Sequence, residues 1–162
     1  MSYYVREAVP EDLPRLLEIY AAARKIMVKS GNPNQWGSTN PPVETLVTDI
    51  EKGQLYLLLE GDVIHGAFAL IAGEDPTYRV IYEGGWSREA PYHTIHRLAG
   101  DGSGGIFAAC IAYCRTRGNY LRIDTHRENK IMLHCLEKAG FTRCGIIYLA
   151  NGDPRIAFDL EF

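Results

Sequence analysis

The stretch that most constrains this chain is Gly100-Asp101-Gly102-Ser103-Gly104-Gly105, set between a strand-like run and a helix-like one. Upstream, Tyr92–Ala99 alternates polar and apolar residues as a half-buried strand does, and a helical pattern starts at Ile106. A glycine-rich turn in that position exposes several backbone N–H groups at a helix N-terminus, where the helix dipole adds positive potential. Such a turn is a phosphate site, and the chain is expected to bind a phosphate-bearing ligand.

The rest of the chain reads as alternating helices and strands around this feature. Val5 starts a short strand, and Pro10-Glu11-Asp12 opens a helix with acidic residues in its first turn. Leu13, Leu16, Leu17, Tyr20 and Met27 make its expected buried stripe, and Ser30–Asn34 ends it. A second helix follows Pro41-Pro42, with Val43, Leu46, Val47 and Ile50 on one face and Gly53 as its stop. Gln54–Glu60 and Val63–Ala72 read as a hairpin around Gly61-Asp62, with a further short strand expected at Tyr78–Tyr82. After the glycine turn come a helix over Ile106–Arg117, a strand over Tyr120–Asp124 and a helix over Asn129–Ala139. Phe141–Leu149 and Arg155–Phe162 form a closing hairpin. This order predicts one α/β domain over residues 1–162 with a mixed sheet, because the terminal run of strands cannot be purely parallel.

Composition removes several function classes. The 162 residues suit one sizeable core, and 46% hydrophobic with 23% charged residues is ordinary for a soluble domain. A formal net charge of -3 gives no encouragement to a nucleic-acid or anionic-membrane partner. No apolar run approaches a membrane span and the N-terminus lacks a signal-peptide core, so a cytoplasmic protein is expected. Cys110, Cys114, Cys135 and Cys144 form no CxxC pair, so they read as reduced, packed thiols rather than as zinc ligands, and no metal is expected.

Gly100-x-Gly102-x-x-Gly105, with Asp124 downstream at a strand end, satisfies the dinucleotide-binding fingerprint. The fingerprint should open a series of parallel βαβ units, yet here one such unit leads into an antiparallel hairpin, and the Rossmann reading is rejected. A Walker loop is excluded because no Gly-Lys-Ser/Thr ends the run.

The element order, the glycine turn after the fourth main strand and Leu136-Glu137-Lys138-Ala139-Gly140-Phe141 together resemble the GNAT superfamily of acyl-CoA N-acyltransferases. The resemblance extends over the chain, through Val5-Arg6-Glu7-Ala8 with Glu11-Asp12-Leu13 and through Asp124-Thr125-His126 followed by Asn129. It implies a mixed, mostly antiparallel sheet of about seven strands with four helices. The fourth and fifth strands would splay around the pantetheine arm of coenzyme A. Leu98 and Ala99 would then offer backbone groups to that arm. The N–H groups of Gly102, Ser103, Gly104, Gly105 and Ile106 would hold the pyrophosphate, with Asn129 as a second contact or simply a helix cap. Two departures stand out. Gly102 occupies the family's Arg/Gln position in a lengthened loop with Phe107 at the last glycine, and Leu136 stands where many members carry an acidic tyrosine.

Amine acylation by acetyl-CoA poses two proton problems. An amine of pKa near 10.4 is about one part in 10³ neutral at pH 7, a handicap of roughly 4–5 kcal/mol, whereas a thiol of pKa near 8.5 leaves more easily. A base therefore matters more than an acid. His126 is the first expected base, with a loop histidine capping the next helix as its alternative. His93 and His96 lie on opposite faces of one strand, so at most one can face the cleft. Glu83 is a base acting through water, or else a solvated turn carboxylate, and Tyr148 is a substitute acid or a packed aromatic. Gln35, Trp36 and Trp86 are expected to border the acceptor site, with plain core anchoring as the alternative for either ring.

The expected activity is acetyl transfer from acetyl-CoA to a primary amine of a small or amino-acid-like acceptor. A non-catalytic acyl-CoA-binding module is the alternative favoured by Leu136, and a homodimer stays open. Acetyl-CoA at saturating excess is expected to raise the melting temperature by a few degrees, because it binds only the folded state, while NAD leaves it unchanged. A shift with NAD and none with acetyl-CoA would reverse the assignment.

Overall fold

The computed structural model describes residues 2–162. Within them, β2 (Leu55–Glu60) and β3 (Val63–Ala72) form the expected hairpin, and β1 (Tyr4–Glu7) adds antiparallel to the β2 edge. β4 (His93–Gly100) pairs antiparallel with β3 and parallel with β5 (Tyr120–Thr125). β6 (Thr142–Tyr148) and β7 (Pro154–Glu161) close the sheet, with β7 inserted beside β5. The order is β1-β2-β3-β4-β5-β7-β6 in one seven-stranded sheet, mixed and mostly antiparallel. Four α-helices cover it: α1 (Leu13–Lys29), α2 (Val43–Glu51), α3 (Ile106–Cys114) and α4 (Lys130–Lys138).

Side-chain alternation along the strands sorts the core onto two faces. Leu55, Leu57 and Leu59 pack with Leu16, Ile19 and Tyr20 of α1 and Leu46 of α2. Tyr56 and Leu58 point the other way, and with Phe68, Ile95, Ile123 and Phe158 they pack against Cys110, Ile111 and Leu136 of α3 and α4. The α1/α2 face continues under the segment between β3 and β4. There Tyr78 and Tyr92 join Tyr120, Ile147 and Ala157.

Several expectations are corrected. In α1 the buried stripe is Leu16, Ile19, Tyr20 and Ala23, and Leu17 is exposed because it lies about 100° round the helix from that stripe. Val43 and Val47 are likewise exposed, leaving Leu46 as the buried anchor of α2. The strand expected at Tyr78–Tyr82 is instead a 3₁₀ turn over Pro76–Tyr78 followed by a single bridge, Tyr82 to Ile146. Its cause is local: the Asp75 carboxylate accepts from Thr77 N at 2.9 Å and diverts the backbone from strand pairing. α3 stops at Cys114, and Thr116 and Arg117 continue it only as i→i+3 turns.

The feature that shapes the site is an irregularity in β4. Ala67 pairs with Ala99 but Ala69 pairs with His96, so β4 carries one more residue than β3 across this interval. Arg97 sits in the bulge at φ 55°, in the left-handed region. Two interactions hold it there. Tyr20 Oη donates to the Arg97 carbonyl at 2.7 Å, and the Arg97 guanidinium grips buried Asp49 through Nε–Oδ2 at 2.7 Å and Nη2–Oδ1 at 3.0 Å. Asp49→Ala is expected to cost about 3 kcal/mol, because it strands a mostly buried guanidinium beside a strained backbone. Urea unfolding that matches wild type would show that the bulge stands without this pair.

Candidate active site

β4 and β5 are paired only at His93–Leu121 and Thr94–Arg122, after which they separate. From Ile95 onward β4 presents an unpaired edge toward β5, and into this gap opens a cavity of ≈ 580 Å³. An exposed strand edge is a template for an added strand, and an extended polyamide arm can serve as one. The splay that the family resemblance implies is therefore present, with Leu98 and Ala99 on its wall.

Gly104, Gly105, Ile106 and Phe107 line the same cavity from the face that carries α3. Gly102, Gly104 and Gly105 have φ of 93°, 85° and 74°, which a side chain would oppose. The first backbone N–H groups of α3 have no partner within the helix, so they are available to an anionic ligand. Ser103 differs from its expected role. Its N–H donates to Asp101 Oδ1 at 3.0 Å, so it serves the turn rather than a ligand. Asp101 also meets His65 Nδ1 at 2.8 Å and Arg15 Nη2 at 3.4 Å, tying the turn to β3 and α1. These contacts hold the Asp101 carboxyl below its ordinary range against the opposing effect of burial.

Asn129 lines the cavity and caps α4, its Oδ1 accepting from Met132 N at 3.1 Å. Its Nδ2 donates to Gln35 Oε1 at 3.0 Å. That one amide oxygen also receives Asn32 Nδ2 at 3.1 Å and Thr125 Oγ1 at 3.3 Å. Gln35 thus fastens the loop between α1 and α2 to the ends of β5 and α4, and both Gln35 and Trp36 form cavity wall. Trp36 stands on Tyr20, ring centroids 5.7 Å apart.

Other expected residues lie elsewhere. His126 is outside the cavity wall. Its Nδ1 accepts from Glu128 N at 3.0 Å, and burial with the Arg155 charge lowers its pKa and keeps it neutral near pH 7. Tyr148 is exposed and stacks edge-on against Tyr82, and Glu83 is exposed at φ 58° in the neighbouring turn. Trp86 is a core anchor: it donates Nε1 to the Tyr78 carbonyl at 3.0 Å and stacks over Arg122, which Tyr92 covers from the other side.

In their place the α1/α2 face brings together His96, Asp124 and Arg155, all in the cavity wall. Thr94 pairs with Arg122 and Asp124 with Ala157, so His96, Asp124 and Arg155 fall on one face by two-residue alternation. Asp124 Oδ2 accepts from Tyr78 Oη at 2.6 Å. Burial raises the Asp124 pKa, opposed by the charges of His96 and Arg155 and by the Tyr78 hydrogen bond. His96 Nε2 contacts Asp75 Oδ2 at 2.8 Å, and although burial opposes it, this contact with the Thr77 hydrogen bonds brings the Asp75 pKa down to about 2. A polar residue at an inward strand position was the available sequence signal for Asp124 and Arg155. Neither Asp75 nor Tyr78 carried any, because a loop delivers them. Cys135 also lines the cavity, while neighbouring Leu136 is fully buried in the core. Among the described residues no group of three or more His, Cys, Asp or Glu side chains is arranged to hold a metal ion, and no helix is long and apolar enough to cross a membrane.

No protein-family model matches the chain, and no curated protein sequence does. Solved structures do. An acetyltransferase of the GNAT family from Streptococcus agalactiae is similar at 27% identity and TM-score 0.89, over 99% of this chain and 95% of that one. A GNAT-family acetyltransferase from Listeria monocytogenes matches at 19% identity and TM-score 0.68, over 99% and 95%. The PaiA N-acetyltransferase from Thermoplasma acidophilum, solved in complex with coenzyme A, matches at 14% identity and TM-score 0.64, over the full length of both chains. Seven strands in this order, the splay after Thr94 and these likenesses agree: over nearly its whole length the chain has the GNAT N-acetyltransferase fold.

Proposed function

We propose that this protein transfers an acetyl group from acetyl-CoA to a primary amine of a small molecule. One observation carries the reading: a single cavity runs from the N–H groups of the glycine turn, along the unpaired β4 edge, to Asp124 and His96 on the other side of the sheet. The similar GNAT structures support acyltransferase activity in general, and the coenzyme A complex of the Thermoplasma protein supports the choice of acyl donor. Acetyl-CoA supplies an activated thioester. Gly104, Gly105 and Ile106 would hold its pyrophosphate, and Leu98 and Ala99 its pantetheine arm.

Asp124 is the proposed proton acceptor for the incoming ammonium. Its raised pKa narrows the gap to the amine, and Tyr78 Oη fixes the carboxylate by hydrogen bonding. His96, anchored by Asp75, is the proposed relay from Asp124 to solvent. The roles expected of His126, Tyr148 and Glu83 pass to these residues, because none of the three lines the cavity. The binding-module reading rests on Leu136, which brings no hydroxyl to the leaving thiolate, but that departure is the easier proton problem.

Release of free thiol from acetyl-CoA across a panel of primary amines tests the reading directly, and acetyl-CoA binding with no turnover on any amine would favour the binding module. Asp124→Asn is expected to lower kcat/KM by about 10²–10⁴-fold while keeping the acetyl-CoA melting shift. Full activity in that variant with a dead His126→Ala would return the base to His126. Gly105→Val, which puts a β-branched residue at φ 74° in the turn, is expected to weaken coenzyme A binding about tenfold or more by calorimetry.

A further inference from the structure

The strands β4, β5 and β7 that border the cavity carry Arg97, Arg122 and Arg155, and the first two have complete structural explanations. Arg97 grips Asp49 through two hydrogen bonds. Arg122 lies between Trp86 and Tyr92, its carbon 4.1 Å from each ring centroid, and donates to the Arg88 carbonyl at 2.9 Å. Arg155 has no such account. It is 5% exposed and lines the cavity, yet among the described residues no carboxylate lies within ion-pairing distance of it. Its hydrogen bonds go to two neutral acceptors, the Pro154 carbonyl at 3.0 Å and the Gln35 carbonyl at 3.3 Å. Burial lowers its pKa, and the nearby charges of Asp124 and Asp153 only offset this.

A buried guanidinium without a counter-ion costs free energy that a matching anion would recover. Its planar fork suits a carboxylate above all. The anion must come through the cavity, because that is where Arg155 is accessible. Asp124 pairs with Ala157, and Arg155 is two residues from Ala157 on β7, so the two charges are diagonal neighbours on one face. The Cα atoms of such neighbours stand about 7–8 Å apart, so both side chains can reach one small molecule between them. A carboxylate and a guanidinium side by side in one cavity wall complement a small zwitterion. The loop carrying Gln35 and Trp36 lines the same cavity and meets Arg155 through the Gln35 carbonyl.

We infer that the acceptor is an amino acid or a similar carboxylate-bearing amine, its carboxylate held by Arg155 while its amine faces Asp124. This rests on the acetyltransferase reading and narrows its substrate class. Arg155 is a specificity residue here, and it moves no proton.

The test uses matched acceptors: glycine, β-alanine, alanine and glutamate, each beside its primary amide, and aminomethylphosphonate as a second anion. Free-thiol release from acetyl-CoA gives kcat/KM for each. Wild type is expected to favour the carboxylate over its amide by about 10–100-fold, the range of a charged hydrogen-bonded pair. Arg155→Met should collapse that ratio to near one through acceptor KM, with the acetyl-CoA melting shift retained, and Arg155→Lys should restore part of it. Equal rates for amides and carboxylates in wild type, or a preference that survives Arg155→Met, would overturn the inference. A tenfold preference for the phosphonate would overturn the choice of carboxylate. Should Arg155→Met fail to fold, the wild-type ratio decides alone. If no amine is acetylated although acetyl-CoA binds, the acetyltransferase reading fails. Calorimetry of the amino acids against the coenzyme A complex then decides the inference, and absence of binding overturns it.

Discussion

The bulge at Arg97 is the constraint on which the rest of this structure depends. An eight-residue strand paired along its length with β5 would seal the sheet and leave nowhere for a ligand to lie. Placing one extra residue against β3 turns β4 after two pairs with β5 and opens the gap. A non-glycine residue at φ 55° is uncommon, and the surrounding contacts over-determine it. Tyr20 holds the carbonyl from α1, and Asp49 holds the side chain from α2. The two helices on that face therefore do more than bury Leu55, Leu57 and Leu59: they keep the sheet open.

The gap also organises the chemistry by side. Backbone donors come from the glycine turn at the head of α3, and ionisable side chains come from the opposite face. Separating an anion-binding surface from a carboxylate that must accept a proton keeps each from neutralising the other. The segment between β3 and β4 contributes here as well. Trp86, Tyr92 and Arg122 clamp it to the sheet, and Asp159 takes Ser87 N at 2.8 Å. Clamped in this way, it delivers Tyr78 to Asp124 and Asp75 to His96. Trp86, read in sequence as a border of the acceptor site, is part of this clamp instead.

Much of the fold was legible in the chain because it is written in short-range pattern. The hairpin around Gly61-Asp62, the buried positions Leu16 and Tyr20, the cap at Asn129 and the glycine turn all depend on residues within a few positions of each other. Errors arose where a local preference competed with pattern, as when the Asp75 carboxylate captured Thr77 N and made a turn of an apparent strand.

By itself the sequence determined the hairpins, the later alternation of helix and strand and the anion-ready turn, since periodicity, glycine and helix polarity act locally, while the splayed gap was implied only by the family resemblance. Only the tertiary structure decided which side chains face that gap. His126 looked placed for proton transfer until its Nδ1 was taken by Glu128 N, and Asp124 looked like an ordinary strand end until Tyr78, 46 residues away, was brought against it. Arg155 became conspicuous only when the folded sheet buried it facing the cavity with no carboxylate of the described residues in ion-pairing distance. The pKa of a side chain and the partner it lacks are set by what the fold packs around it, and nothing in the neighbouring residues encodes that.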